Sequence, residues 1–395
     1  MKYFIILIYC SLLIGNETNL EKLLSIAFEN NLKIQSKMEL VSKQKSEAKV
    51  LSSLPDPSLS AGYFLTPIET KTGPQEWKIG ISQSIPGFGK LASKKKIGLL
   101  RAEKEKVSLQ KTQLEIQREV ITVYEKLRYL QTETSITENL LVILKRLESV
   151  LTTQYITASV NHANLIQIQL EVLKQEDNLA TIVNEEIILY REMKSLLGGQ
   201  NPGDIVFDEI ELTIPEFKDF AKNPELQTVS ISVDIAKTKV HLANLSYLPD
   251  FKIGADYIML DGAVEDNPID IRFGLTLPLW FGKNMAKKQS AKSELTSTEY
   301  LVFDTEELLK SQSERLLFEM ENLQRKTLLY QNELIPKAEQ SFTVSETAYL
   351  SNDIDFDRFM DAVLILLNLK LENASLHKIF QTTKARFYEL IGKTL

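Results

Sequence analysis

Phe251-Lys252-Ile253-Gly254-Ala255-Asp256-Tyr257-Ile258-Met259 and Ile269-Asp270-Ile271-Arg272-Phe273-Gly274-Leu275-Thr276-Leu277 are the stretches on which the fold turns. In the first, Phe251, Ile253, Ala255, Tyr257 and Met259 share one side of a two-residue alternation, opposite Lys252, Gly254 and Asp256. In the second, Ile269, Ile271, Phe273, Leu275 and Leu277 oppose Asp270, Arg272, Gly274 and Thr276. Period two is the mark of a strand with two unlike faces. Two earlier stretches share it. In 58–66, Leu59, Ala61, Tyr63 and Leu65 oppose Ser58, Ser60, Gly62 and Thr66, with Phe64 out of step. In 77–85, Trp77, Ile79, Ile81 and Ile85 oppose Lys78, Gly80, Ser82 and Ser84. Each piece is about nine residues, the length of a tilted strand crossing an outer membrane. The polar side carries Lys78, Asp256, Asp270 and Arg272, which suits a water-filled lumen better than a protein core. Amphipathic hairpins packed on helices, charges outward, are the plainer alternative.

Four strands cannot close a barrel, and lipid does not tolerate an open sheet edge. A symmetric oligomer removes the edges, and three chains would supply twelve strands. Aromatic residues mark the strand ends, with Trp77 at one level and Phe88, Trp280 and Phe281 at the other, as expected at membrane interfaces. Lys90, Lys94, Lys95 and Lys96 follow in one half, and Lys283, Lys287 and Lys288 in the other. They suit either lipid phosphates or a solvated helix start.

Outward from the strands, the chain repeats itself. Leu54-Pro55-Asp56 recurs as Leu248-Pro249-Asp250. Ile85-Pro86-Gly87-Phe88-Gly89-Lys90 recurs as Leu277-Pro278-Leu279-Trp280-Phe281-Gly282-Lys283, with one residue inserted. Tyr155 matches Tyr349, and Leu196-Leu197-Gly198 matches Leu390-Ile391-Gly392. The matches keep one order at one offset, so the chain reads as a tandem duplication. The expected domains are a leader at 1–15, a first repeat at 16–198, a linker at 199–215 and a second repeat at 216–395. The linker holds Gly199, Asn201, Pro202, Gly203 and Pro215.

Each repeat reads as helix, two strands, very long helix, turn and long helix. Residues 20–52 are helix-like and stop before Pro55. Residues 90–155 contain no proline and a single glycine, Gly98. Their apolar residues step by seven in two series, Val107-Leu114-Ile121 and Leu109-Ile116-Val123-Leu130. Two stripes mean two packed faces. Such a helix would be roughly 100 Å long. Residues 284–347 repeat it, with a kink expected at Pro336. Helices at 162–197 and 356–391 run back from the turns.

Composition bounds the function. With 395 residues, 44% hydrophobic and 25% charged, the chain can bury a core. After the first fifteen positions it has no run of about 20 apolar residues that would span a membrane as a helix. A net charge of −7 argues against a general nucleic-acid binder. One cysteine excludes an internal disulfide framework, and three histidines leave little for a histidine-built metal site. Met1-Lys2, an apolar run from Tyr3 to Ile14 and a polar exit resemble a secretory signal peptide. A buried first helix would share that pattern. A lipid-anchored Cys10 fits less well, because bulky Tyr9 precedes it.

The residues now assembled resemble those of the TolC family of outer-membrane efflux channels. The resemblance is carried by Leu54-Pro55-Asp56-Pro57-Ser58-Leu59 before the first strand and Gln83-Ser84-Ile85-Pro86-Gly87-Phe88-Gly89-Lys90 after the second, with their second-half copies and the turns at Tyr155 and Tyr349. These segments look most like the cation efflux subgroup of CusC and CzcC type. The resemblance implies a mainly α fold with a small β part. Duplicated helical hairpins from three chains would form an α-barrel across the periplasm, continuous with a 12-stranded barrel in the outer membrane. It implies a homotrimer serving as a passive exit duct, with a periplasmic adaptor and an inner-membrane pump as partners. Metal cations or small toxic compounds would be the cargo. It also implies that the turns, with Tyr155, Ala158, Tyr349 and Asn352, meet the adaptor. Asp361, Arg358, Asn164 and Gln167 would surround the periplasmic aperture. The family's acidic pair is reduced to Asp361, because Arg358 takes the other place; a ring of three Asp361 side chains is expected. An exposed Asp in a helix first turn is the simpler reading. The family's Asn-Pro near the first helix stands here as Asn31-Leu32 and Asn223-Pro224.

Other signals lead elsewhere. Gly87-Phe88-Gly89-Lys90 lacks P-loop spacing and a following Ser or Thr. Asp353-Ile354-Asp355-Phe356-Asp357 opens like a calcium loop but has Arg358 and Leu364 where Gly and Glu belong. Asp355 or Asp357 as a helix N-cap explains it better. His162, His241 and His377 are scattered. No catalytic constellation stands out, so no enzyme activity, cofactor or metal is expected. A type I protein-secretion channel and a soluble periplasmic coiled-coil scaffold remain as competing readings.

Overall fold

The computed structural model describes residues 17–71, 73–156, 162–217, 219–261, 267–351 and 353–395. The leader, Ala158 and Asn352 lie outside them. In chain order the elements are β1 (Glu17–Thr18), α1 (Leu20–Asn30), α2 (Leu32–Ser52), β2 (Ser58–Ile68), β3 (Gln75–Ile85), α3 (Lys90–Ile156), α4 (His162–Leu196) and β4 (Asp204–Ile205). They continue as α5 (Pro224–Leu245), β5 (Asp250–Leu260), β6 (Ile269–Thr276), α6 (Phe281–Leu329), a π-turn (Tyr330–Leu334), α7 (Ile335–Leu350) and α8 (Phe356–Leu390). The fold is mainly helical with a small sheet. It divides into two compact units, one of residues up to Gln35, 112–220 and 309–395, the other of residues 36–111 and 221–308.

The second unit holds the sheet. Its strand order is β2-β3-β5-β6, antiparallel throughout. Gly80 pairs with Asp256 and Asp256 with Asp270, so the polar residues of three strands share a face. Strand β2 runs to Ile68, beyond the expected 66, and takes in Pro67 across a register shift. An edge strand tolerates proline, because its missing N–H faces no ladder. Strand β6 ends at Thr276, and the donor-less Pro278 follows shortly after.

The first unit is a packed set of helical hairpins. Leu144, Leu151, Ile168 and Phe359 are fully buried in one cluster that joins α3, α4, α7 and α8. Met320, Phe380 and Phe387 centre a second, built from α6 and α8. Both heptad stripes enter the interior. Leu114, Ile116, Ile121, Val123 and Leu130 are all buried.

Four local details differ from the sequence expectation. The helix expected over 20–52 breaks at Asn31, whose backbone is extended (φ −65°, ψ 124°). Its side-chain oxygen accepts from the Lys33 N–H at 2.9 Å and caps α2, while Nδ2 donates to the Leu196 carbonyl at 2.8 Å. Asn223 likewise caps α5, accepting from the Leu226 N–H at 2.8 Å. Second, Pro336 produces a π-turn just before it. The Ile335 N–H reaches back to the Tyr330 carbonyl, one residue further than in an α-helix. Proline removes a donor and crowds the preceding turn, and the wider register relieves both. Third, α6 begins at Phe281 rather than 284. Finally, residues 199–215 make contacts that their composition does not announce. Asp204–Ile205 pairs with Glu17–Thr18, and the Tyr124 hydroxyl holds the Val206 carbonyl (3.1 Å) and the Asp208 N–H (2.9 Å).

The matched Gly198 and Gly392 share a role. Gly198 (φ +67°) and Gly392 (φ +70°) stand at the C-termini of α4 and α8. The next N–H in each case closes on the last turn, Gly199 to Lys194 at 2.8 Å and Lys393 to Tyr388 at 2.8 Å. This is the Schellman arrangement, which requires a left-handed residue. A Cβ on Gly198 would also strike the Asn30 carbonyl.

Candidate functional site

The sheet presents an outer face of bare hydrocarbon. Leu59, Tyr63, Leu65, Trp77, Ile79, Ile81, Ile253, Tyr257, Ile269, Ile271, Phe273 and Leu275 are all exposed, Leu65 by 91% and Phe273 by 79%. They come from four strands and lie side by side through the ladder registers. Soluble monomers rarely expose apolar patches of more than a few hundred Å². Eight residue steps from Trp77 to Ile85 extend about 27 Å. At a 45° tilt that covers about 19 Å of membrane depth, comparable to the apolar band of an outer-membrane barrel. The outer edges of β2 and β6 have no strand partner among the described residues.

The opposite face is ionic. Asp256 is fully buried (0%). Its carboxylate lies 2.7 Å from the Lys78 ammonium and pairs on its other side with the Arg272 guanidinium. Glycines make room, because a Cβ on Gly80 would overlap the Asp256 carboxylate. The four charges expected on this side are therefore not equivalent. Lys78, Asp256 and Arg272 form one cluster, while Asp270 remains exposed beside it.

The aromatic residues expected at strand ends are all exposed. Trp77 packs on Tyr63 with ring centres 4.8 Å apart, and Phe88 meets Phe251 edge-on at 5.9 Å. Trp280 and Phe281 follow β6 and are exposed. The two repeated motifs meet where β3 leaves the sheet. Lys90 Nζ donates to Asp250 Oδ1 and to the Leu248 carbonyl, both at 2.8 Å. The Gly87 N–H donates to the same Asp250 oxygen at 2.7 Å.

The hairpin turns belong to the first unit. Tyr155 is exposed and lies against His162, ring centres 4.9 Å apart. Tyr349 differs from its sequence partner. It is buried to 9% exposure, stacked on Phe359 at 5.3 Å and against Phe356. Tyr349 thus closes the core of its hairpin, because the first turn of α8 carries Phe356 and Phe359 where that of α4 carries His162 and Leu165. On α8, Asp355 is the N-cap, accepting from the Arg358 N–H at 3.1 Å. Arg358 and Asp361 are both exposed, three residues apart on one helix face. Of the α4 pair, Gln167 is exposed and Asn164 half-buried.

One cluster escaped sequence reading. Glu125 is buried on α3 with Arg128 one turn on, 3.5 Å away. Burial pushes its carboxyl up to about 7; Arg128 opposes this and Asp208 adds to it. The Arg128 guanidinium lies over the rings of Tyr124 and Phe207. A Glu and an Arg at this spacing also suit a solvated helix face, so only packing reveals the burial. Among the described residues no group of three His, Cys, Asp or Glu could hold a metal ion, and no helix is long and apolar enough to cross a membrane.

Solved structures share this architecture. The chain superposes on the transmembrane channel CusC with a TM-score of 0.81 and 14% identity, over 95% of this chain and 92% of that one. The outer-membrane protein VceC of Vibrio cholerae gives 0.77 and 14%, over 95% and 96%. The CmeC outer-membrane channel of Campylobacter jejuni gives 0.75 and 13%, over 94% and 85%. No protein-family model and no curated protein sequence matches the chain. At this identity the likeness establishes the fold, and the fold is that of outer-membrane channels.

Proposed function

We propose that three copies of this chain form a passive exit duct through the outer membrane and the periplasm. The duct is the outer-membrane component of a tripartite efflux system. The observation that carries this reading is the four-stranded sheet with one bare apolar face, one ionic face and two unpaired edges. Lipid covers the first, water fills the second, and neighbouring copies pair with the edges. Twelve strands close a barrel that four cannot. The helices carry a matching feature, for Ile166, Leu170, Leu173 and Ile187 lie along one face of α4 and are exposed in a single chain. In the trimer that stripe packs on the next copy.

The hairpin turns with Tyr155 and Tyr349 meet a periplasmic adaptor, and an inner-membrane pump drives transport. Asp361 and Arg358 line the aperture, with Gln167 and Asn164 nearby. Metal cations or small toxic compounds are the cargo. The resemblance of Leu54-Pro55-Asp56-Pro57 and Gly89-Lys90 to cation efflux channels favours the cations. The test is assembly and conductance. Detergent-extracted protein should sediment as a trimer, fractionate with outer membranes and conduct ions in planar bilayers. A monomer that stays in aqueous buffer without detergent would sink the proposal and favour a periplasmic scaffold.

A further inference from the structure

The clamp that locks β3 onto β5 is built from both repeats. The first repeat supplies Gly87, Phe88, Gly89 and Lys90, and the second supplies Leu248, Pro249 and Asp250. Lys90 is largely buried in it, with a side chain only 13% exposed. Gly87 has no room for a side chain, because a Cβ there would overlap the Pro249 carbonyl. Gly89 (φ +80°) lies against Leu245 at the end of α5. Phe88 covers Phe251. The contact is thus geometric as well as ionic.

The duplication contains a second set of the same parts, and the single chain leaves it open. Asp56 precedes β2 as Asp250 opens β5. Lys283 follows β6 as Lys90 follows β3. Both side chains are exposed and make no ion pair or hydrogen bond among the described residues. A Cβ on Gly282, the counterpart of Gly89, would meet nothing within 4 Å. Phe281 and Trp280 are bare. The unused halves lie at the two ends of the strand order, β2 at one edge and β6 at the other. In one chain they cannot meet, because β3 and β5 lie between them. In a closed ring, β6 stands to the next β2 as β3 stands to β5.

Resting on the trimeric barrel reading, we propose that Lys283 closes on Asp56 of the partner subunit and repeats the Lys90–Asp250 clamp between copies. The ring then has three clamps within chains and three between them. The interface is head-to-tail, a lysine surface meeting an aspartate surface, and closes only when rotation returns to the first copy. Opposite charge on opposite edges also disfavours a β2–β2 or β6–β6 pairing, which would bring like charges together.

The test joins the two positions chemically. Asp56→Cys and Lys283→Cys are combined in one chain and treated with a short bis-maleimide, since a Lys–Asp pair holds its Cα atoms further apart than a disulfide spans. The two variants that carry only one of these substitutions set the background, including any contribution from Cys10. The expected result is a covalent ladder ending at the trimer for the double variant and none for either single one. A trimer by sedimentation that yields no ladder overturns the clamp and leaves the channel reading standing. A monomer overturns both. Charge reversal is the second measurement. Lys283→Asp and Asp56→Lys should each lower the temperature at which the detergent-solubilised trimer dissociates, and the two together should recover most of the loss. No recovery in the doubly reversed protein overturns the pairing.

Discussion

The carboxylate of Asp256 occupies the space that a side chain on Gly80 would fill. The two residues are direct partners in the β3–β5 ladder. The glycine therefore lets a buried acid lie flat across the sheet and reach Lys78 on one side and Arg272 on the other.

Gly80→Ala should displace that carboxylate, because the added methyl meets it before any other atom. Overpacking of this kind costs about 1–3 kcal/mol. A lower dissociation temperature and less protein in the outer-membrane fraction are the expected readouts. Gly274→Ala is the control, since its Cβ would make only an ordinary contact with Lys252. Equal loss in both variants would show that any substitution on the polar face is damaging.

Asp256→Asn should change ion preference. It removes one negative charge per chain and leaves Lys78 and Arg272 without their counter-ion. Rings of charge set the selectivity of wide pores, so the reversal potential under a salt gradient should move toward anions. Arg272→Gln should move it the other way. An unchanged potential in both would mean that this face does not line the conducting path.

Asp361→Ala should make the closed duct leakier or raise its conductance, because in the proposed trimer three Asp361 carboxylates would face one another at the aperture and attract cations. Its motivation is position, exposed on the first turns of α8 beyond the Tyr349 turn. Planar-bilayer recordings decide it. Unchanged conductance and unchanged cation preference would reduce Asp361 to a favourable charge near a helix N-terminus.

Glu125 predicts a pH dependence of stability. Its carboxyl is raised from an ordinary 4.5 to about 7 by burial. The folded state therefore holds a proton that the unfolded state has released. Its contribution is fully present below about pH 4.5 and is lost as pH rises through 7, a difference of about 3 kcal/mol. Glu125→Gln removes the titration. Thermal unfolding of the helical signal should show the variant more stable than the parent at pH 8.5 and similar to it at pH 5. The same pH profile in both proteins would place the titration elsewhere.

Much of this was legible because the relevant patterns are local and periodic. Alternation in 251–259 marks a strand with unlike faces, and a seven-residue step in 107–130 marks a helix packed on two sides. The Leu-Pro-Asp and Gly-Lys repeats were visible as a duplication. Their meaning was not, because Lys90 and Asp250 meet only through the β3–β5 pairing. Tyr155 and Tyr349 read as equivalent turn residues, yet Tyr349 is a core residue, because Phe359 stacks on it and Phe356 meets it edge-on. Pro336 signalled a disturbance but not that a π-turn would absorb it.

The sequence by itself determined the long helices, the four alternating strands and the recurrence of their flanking motifs, because each rests on spacing along one chain. Tertiary structure alone decided which charges pair, which tyrosine is buried and that Glu125 sits out of water. Those depend on residues brought together from distant segments, where packing and desolvation, rather than periodicity, set the outcome.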